Sequence, residues 1–364
     1  MNRSGHRFGQ ESLQDRLGRP EHSGVSRWLK HRRAICLLAV LCLAADFLLL
    51  SSTALAQSCS ATSPTINFGN VEFVSGTNYS TTGTISVTCT VPVGSGPYNF
   101  SVCLNIGLAG SGSWRTMTSG SNSLSYNLYQ DAAHTTIWGS YYSMPPNPVV
   151  LNIHVNSPFD IIYQGGSTTV STTIYAYIQS SVNTTVPAGS YLQDLTGSNT
   201  ALNVNMVTDP FTPIACTSGG GVYEGTFPFT TTATVINNCL VSATNVNFGT
   251  APGVLSSAVT ATGNITATCS NNHSYTIALN QGSTSGASLT DRRMAGSGAA
   301  VVHYELYTSS GYTTVWGDGT SGTGTVSGTG NNSAQSYTVY GRVPAQSPAA
   351  GGSYSDTITV TVTY

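Results

Sequence analysis

The chain has 364 residues, of which 7% are charged and 40% hydrophobic, with 39 glycines and a formal net charge of −2. Beyond residue 56 it holds four arginines (Arg115, Arg292, Arg293, Arg342), no lysine and ten acidic residues, a net charge of −6. That excludes the basic stripe nucleic-acid binding requires, and the wealth of Gly, Ser, Thr, Asn, Val and Tyr suits half-buried strands joined by turns.

At the N-terminus, residues 34–50 are apolar apart from Asp46, with Lys30, Arg32 and Arg33 before them and Ala54-Leu55-Ala56 after. A basic flank, an apolar core and an A-x-A site predict a secretory signal, with residues 1–56 removed and Gln57 the first mature residue. A membrane anchor is the competing reading for so long an apolar run; Asp46 and the small-residue site argue against it.

The next segment is written twice. Cys59 and Cys89 lie thirty residues apart, as do Cys239 and Cys269, and Ile66-Asn67-Phe68-Gly69 matches Val246-Asn247-Phe248-Gly249. Downstream, Leu128-Tyr129 and Trp138-Gly139 match Leu306-Tyr307 and Trp316-Gly317, and Tyr177 and Tyr191 match Tyr340 and Tyr354. The offset far exceeds a solenoid repeat, so this is a duplicated domain. Six cysteines in an exported chain predict disulfides, and the duplication makes Cys59–Cys89 and Cys239–Cys269 homologous bridges. Pairing Cys103 with Cys216 is the simplest remainder; two free thiols are the alternative.

Period-two alternation predicts strands over 83–89, 98–106, 124–129, 170–178 and 200–207 in the first copy. In the second it predicts 263–269, 274–280, 301–307, 336–343 and 356–364. Helical periodicity is absent beyond the signal. Short strands with Gly/Ser/Asn turns predict an all-β protein of two immunoglobulin-like sandwiches.

Between the copies, residues 211–238 read either as a linker or as a strand closing the first sandwich in cis. Phe227, Phe229, Thr231, Ala233 and Val235 fall on one face of 226–236, which favours the strand. At the C-terminus, Ile358, Val360, Val362 and Tyr364 alternate with threonines on the last strand. The expectation is a second sandwich lacking its closing strand, with those four residues lining an uncovered groove.

The first copy also carries extra material. Trp138 to Tyr177 spans 39 residues, against 24 from Trp316 to Tyr340. It includes Tyr141, Tyr142, Met144, Pro145 and Pro146, then Phe159, Ile161 and Ile162. Aromatic and prolyl clusters in loops suggest an interaction patch; Trp114 (with Leu108 and Ala109), Phe211 and Ile214 are further candidates. The competing reading is that these residues complete the core or form an added strand over 149–153. Enzyme readings are weak: His134, His154, His273 and His303 lack metal-ligand spacing, and no G-x-S-x-G sits in a strand–turn–helix context. Asp194 and Asp356, each beside a Tyr, read as a shared turn, and Arg292-Arg293 as a solvated loop tip.

The Cys…Asn-Phe-Gly…Cys block, the Leu-Tyr…Trp-Gly block and the ending, Pro-Ala-Gly-x-Tyr-x-x-Asp in the first copy and Gly-x-Tyr-x-Asp in the second, resemble spore coat protein U domains, the subunits of archaic, Csu-type chaperone–usher pili. The resemblance covers both halves. One departure is the first copy's extra residue before Asp194. The resemblance implies sandwiches lacking one strand, filled first by a periplasmic chaperone and then, at an outer-membrane usher, by the adjacent pilin subunit's donor strand. With only Gln57 and Ser58 ahead of Cys59, it implies a subunit that accepts without donating. The expected reading is a non-enzymatic, cofactor-free tip adhesin at the surface of a Gram-negative bacterium, mediating biofilm formation on host or abiotic surfaces. Residues 57–210 would be the adhesin domain, 211–238 a linker with the cis strand, and 239–364 the pilin domain. The alternative is a secreted, self-complemented coat or matrix protein that binds carbohydrate.

Overall fold

The computed structural model describes residues 56–62, 65–107, 114–142, 147–158, 164–347 and 350–364. The expected signal lies outside them, as do Leu108, Ala109, Met144, Pro145, Pro146, Phe159, Ile161 and Ile162. The described chain is all-β apart from single helical turns, and its buried apolar residues form two separate cores.

The first core is enclosed by β1 (Ser58–Thr62), β2 (Thr65–Val71), β3 (Tyr79–Val91), β4 (Tyr98–Ile106), β5 (Arg115–Ser119) and β6 (Asn122–Tyr129). It is completed by β7 (Val149–Val155), β8 (Gly166–Ile178), β9 (Gly189–Asp194), β10 (Thr200–Thr208), β11 (Val222–Gly225) and β12 (Thr230–Val235). An eight-stranded sheet in the order β1-β3-β8-β6-β5-β9-β12-β2 packs on a four-stranded one, β11-β10-β4-β7. The long β3–β8 pair shows why the sequence chooses strands. Ile85, Val87, Cys89 and Ile174 point inward and are fully buried. On the opposite face Ser86 bonds Ser171, and Thr88 bonds Thr169, each at 2.8 Å across the ladder. Such cross-strand pairs are what stabilise a sheet.

The second core lies within β13 (Cys239–Ala243), β14 (Val259–Cys269), β15 (Ser274–Leu279), β16 (Arg292–Ala295), β17 (Val301–Tyr307), β18 (Val326–Thr329), β19 (Gln335–Val343) and β20 (Val360–Thr363). Here the sheets are β13-β14-β19-β17-β16 and β18-β15-β20. Disulfides join Cys59 to Cys89, Cys103 to Cys216 and Cys239 to Cys269.

Of the two readings open for residues 149–153, the structure has the added strand: they lie in edge strand β7, with Ile153 and Val155 in the core. Two sequence expectations are corrected. The last strand is four residues long rather than nine, because residues 356–359 lack a ladder partner. Arg292 is not at a solvated tip. Its side chain is fully buried, with the guanidinium donating to the carbonyls of Asn280 (2.8 Å) and Trp316 (2.7 Å) and to Glu305 Oε2 (3.3 Å). Arg115 holds the same place in the first copy, bonded to Trp138 O and Asn127 Oδ1.

Candidate functional site

The two sandwiches differ most where β12 sits. In the first, β12 inserts between β9, to which it is antiparallel, and β2, to which it is parallel. Phe227, Phe229, Thr231, Ala233 and Val235 all enter the core and are 4% exposed or less. The Trp138 ring lies flat over Phe227 at 6.2 Å and edge-on to Phe229 at 5.4 Å. Thr200 Oγ1 clamps the Phe227 backbone, accepting from its N–H at 3.1 Å and donating to its carbonyl at 2.5 Å. Two buried phenylalanines alone remove several hundred Å² of ring surface from water, on the order of 150–250 Å² each.

The second sandwich has both walls of the slot and nothing between them among the described residues. Residues 245–249 match β2 down to the turn: Gly69 and Gly249 have φ of 68° and 72°, and each N–H bonds the preceding Asn side chain at 2.8 Å. That left-handed turn suits glycine. Yet 245–249 is not a strand, since the neighbour that would pair with it is missing. Opposite lie residues 352–358, the counterpart of β9. Tyr191 and Tyr354 mark the correspondence, each hydroxyl donating to the carbonyl four residues back (Pro187, 2.8 Å; Ala350, 2.6 Å). Between the walls is a cleft of about 800 Å³. Its floor is apolar: Val246, Phe248, Ile265, Leu279, Val302 and Leu306 line it.

Of the four residues expected to line this groove, Ile358 and Val360 do so. Val362 packs against the core elsewhere, and Tyr364 is half-exposed with its ring edge toward His273. Most of the lining escaped sequence reasoning because it comes from strands distant in the chain. The repeated Asn-Phe-Gly block was the signal that could have located one wall.

A polar pair stands among the residues lining the cleft. Tyr304 Oη donates to Asp356 Oδ2 at 2.8 Å, while Oδ1 accepts from Ser283 (N–H 2.9 Å, O–H 3.0 Å), Thr284 and the Thr357 N–H. Gly282 permits this approach: a Cβ there would stand 2.0 Å from Oδ2. Burial pushes the Asp356 carboxyl up, but the bonds from Tyr304, Ser283 and Thr357 outweigh it and hold the group below its usual value. Burial, with the hydrogen bond to Asp356, pushes the Tyr304 phenol well up. The corresponding pair in the first sandwich is Tyr126 and Gln193, 2.5 Å apart, with Tyr126 pushed up to about 12 by burial. Gln193, not Asp194, therefore takes the place of Asp356. The extra residue of the first copy shifts the aspartate outward, where it accepts from the Thr196 N–H.

The surface candidates fall on the outer side of the first sandwich. The Tyr141 and Tyr142 rings meet edge to face at 5.3 Å and are 38% and 61% exposed. Beneath them buried Asn105 accepts from the Tyr141 N–H at 2.7 Å, and buried Asn203 donates to Tyr142 Oη at 2.8 Å. Tyr142 also donates to Gly220 O, just past the Cys103–Cys216 bridge. Tyr223, exposed and opposite Asn203 in the β10–β11 ladder, stands across from the partner of Tyr142 and escaped sequence reasoning. Phe211 and Ile214 are exposed on the segment after β10, their carbonyls held by Asn99 and Asn205. Trp114 is half-buried where the chain enters β5.

The family model of the Spore Coat Protein U domain matches residues 45–197 and 225–361. No curated protein matches the sequence. Among solved structures, the chain is similar to the CsuC–CsuE chaperone–tip adhesion subunit pre-assembly complex from archaic chaperone–usher Csu pili of Acinetobacter baumannii. Identity is 18% and the TM-score 0.47, over 84% of this chain and 100% of that one. The CupB6 tip adhesin of Pseudomonas aeruginosa is similar at 13% identity and TM-score 0.32, over 85% and 95%. CfaE, the adhesive subunit of CFA/I fimbria of enterotoxigenic Escherichia coli, is similar at 10% and 0.29, over 83% and 92%.

Proposed function

Because the chain belongs to the spore coat protein U domain family, with both halves matched, we propose that it is a non-enzymatic tip adhesin of a chaperone–usher pilus. The carrying observation is that one slot is filled and its duplicate is open. The first sandwich is closed by β12, whereas the second has no strand between its two walls among the described residues, only an apolar floor. Exposed main-chain edges beside an apolar groove are what β-strand addition uses. In this reading a periplasmic chaperone occupies the cleft first. The adjacent pilin subunit's strand replaces it at the outer-membrane usher.

A terminal position follows from the same asymmetry. The first sandwich has no vacancy, and β1 is committed to it by the Cys59–Cys89 bridge and the ladder to β3. In this reading the second sandwich is the one that joins a neighbour. The first would then face the receptor or abiotic surface, through the aromatic residues Tyr141, Tyr142 and Tyr223. Residues 57–210 would form the adhesin domain, 211–238 the cis-complementing segment and 239–364 the pilin domain, exported and displayed at the cell surface.

The test is to purify the full chain with and without its pilus chaperone. The expected result is a soluble 1:1 complex with the chaperone and aggregation or partial unfolding without it. A stable monomer alone, with the amides of Val246, Phe248, Tyr354 and Asp356 protected from hydrogen exchange, would overturn the reading.

A further inference from the structure

The cleft has a template for its occupant inside the same chain, and the strand-accepting function proposed above is the premise. In the first sandwich β12 sets Thr231 opposite Gln193 on β9 and opposite Ile66 on β2, and Ala233 opposite Tyr191. By their hydrogen bonds and turns, Gln193 corresponds to Asp356, Tyr191 to Tyr354, Ile66 to Val246 and Tyr126 to Tyr304. A strand entering in that register sets one inward residue between Asp356 and Val246, beside the Tyr304 hydroxyl. The next inward residue meets Tyr354.

That position is chemically different in the two copies. In the first it is neutral throughout, Tyr126 Oη bonding both Gln193 Oε1 (2.5 Å) and Thr231 Oγ1 (3.0 Å). In the second a carboxylate replaces the amide, and Tyr304 spends its one proton on Asp356 Oδ2. Toward the cleft these two groups then offer lone pairs only. Covering a carboxylate with an apolar side chain strips its water without replacement, and covering it with a second carboxylate adds repulsion.

We infer that the cleft selects its donor strand by chemistry at this register. It takes a strand with an O–H or N–H donor (Ser, Thr, Asn or Lys) opposite Asp356 and apolar residues at the neighbouring inward positions, and it rejects one with Asp or Glu there.

The probe is the chain's own strand, a synthetic peptide of residues 225–237, fluorescently labelled and added while the full chain refolds. The expected result at pH 7 is that a Thr231→Asp peptide competes at least about tenfold more weakly than the Thr231 peptide. With Asp356→Asn in the full chain, that gap narrows to less than about threefold. Equal competition by the two peptides against the unaltered chain overturns the inference, and this comparison stands even if Asp356→Asn folds poorly. Register is checked separately: a Thr232→Cys peptide should form a disulfide with Ser355→Cys in the chain, and a Thr234→Cys peptide should not. The reverse pattern also overturns it. Failure of every peptide to bind rejects the strand-accepting function itself, whereas binding without discrimination rejects only the selectivity.

Discussion

The guanidinium of Arg292 donates to the main-chain carbonyl of Trp316 at 2.7 Å, beneath the second sandwich and wholly shielded from water. Arg115 does the same to Trp138 at 2.5 Å in the first. Each tryptophan in turn donates its indole N–H to the facing strand, Trp316 to Ile277 O (3.0 Å) and Trp138 to Leu104 O (2.9 Å). The copies differ in what balances the cation. Arg292 pairs with Glu305, whereas Arg115 is held by the neutral Asn127 side chain. Burial lowers the Arg115 pKa to about 10, so it stays charged at neutral pH.

Replacing Arg292 with Leu should therefore destabilise the second sandwich by about 3–5 kcal/mol, because the half-buried Glu305 carboxylate loses its cationic partner and keeps only the main-chain N–H of position 292. Arg115→Leu should cost less, about 1–3 kcal/mol, since only neutral acceptors are stranded. Urea denaturation of each variant in the strand-bound state checks the ordering.

Phe227→Ala and Phe229→Ala should each destabilise the first sandwich by about 3–5 kcal/mol, both rings being fully buried against Trp138. The measurement is the denaturation midpoint of the first sandwich, with hydrogen exchange at the amides of β9 and β2 as a local readout. A loss under about 1 kcal/mol would mean that β12 is dispensable to closure.

Asp356 predicts an acid-labile second sandwich. Its folded-state pKa lies below the unfolded value, so the unfolded chain takes up the proton first as pH falls. The stabilisation is fully present above about pH 5 and lost as pH falls through the folded-state pKa. Thermal midpoints of the wild type and Asp356→Asn should converge between about pH 5 and pH 3. A constant gap over that range would assign the difference to packing instead.

Cys103→Ser with Cys216→Ser should cost about 2–5 kcal/mol, as removal of a native bridge usually does. It should also raise exchange at Gly220, which lies under the Tyr142 hydroxyl. If Tyr141 and Tyr142 carry attachment, Tyr141→Ser with Tyr142→Ser should abolish it while lowering stability by only about 1–3 kcal/mol, the cost of leaving the buried Asn203 amide without its Tyr142 acceptor. The double cysteine variant should weaken attachment only in part. Surface-attachment assays on assembled pili measure both.

Strands whose inward residues alternate without interruption were legible in the sequence: β4 over 98–106 and β17 over 301–307 are bounded by their own pattern. Strand character that depends on a neighbour was not. Ile66-Asn67-Phe68 and Val246-Asn247-Phe248 are nearly the same text, yet only the first is a strand, because only there does β12 supply a partner. Arg292 was misread for a related reason. An Arg-Arg pair looks solvated, and the carbonyls that bury one of them belong to Asn280 and Trp316, remote in sequence. Matching Asp194 to Asp356 by name failed where matching by hydrogen bond succeeded, since one inserted residue turns Gln193 inward instead.

Only residues 236–238 separate β12 from β13, and they are fastened at both ends: the Ile236 N–H bonds Val71 O at 2.9 Å, and Asn238 bonds Ser270. A force pulling the two halves apart therefore passes through β12, where its ladders to β9 and β2 share it. On the other side the load passes into β13 and the Cys239–Cys269 bridge, a covalent stop. Under tension this junction should yield late, and all at once.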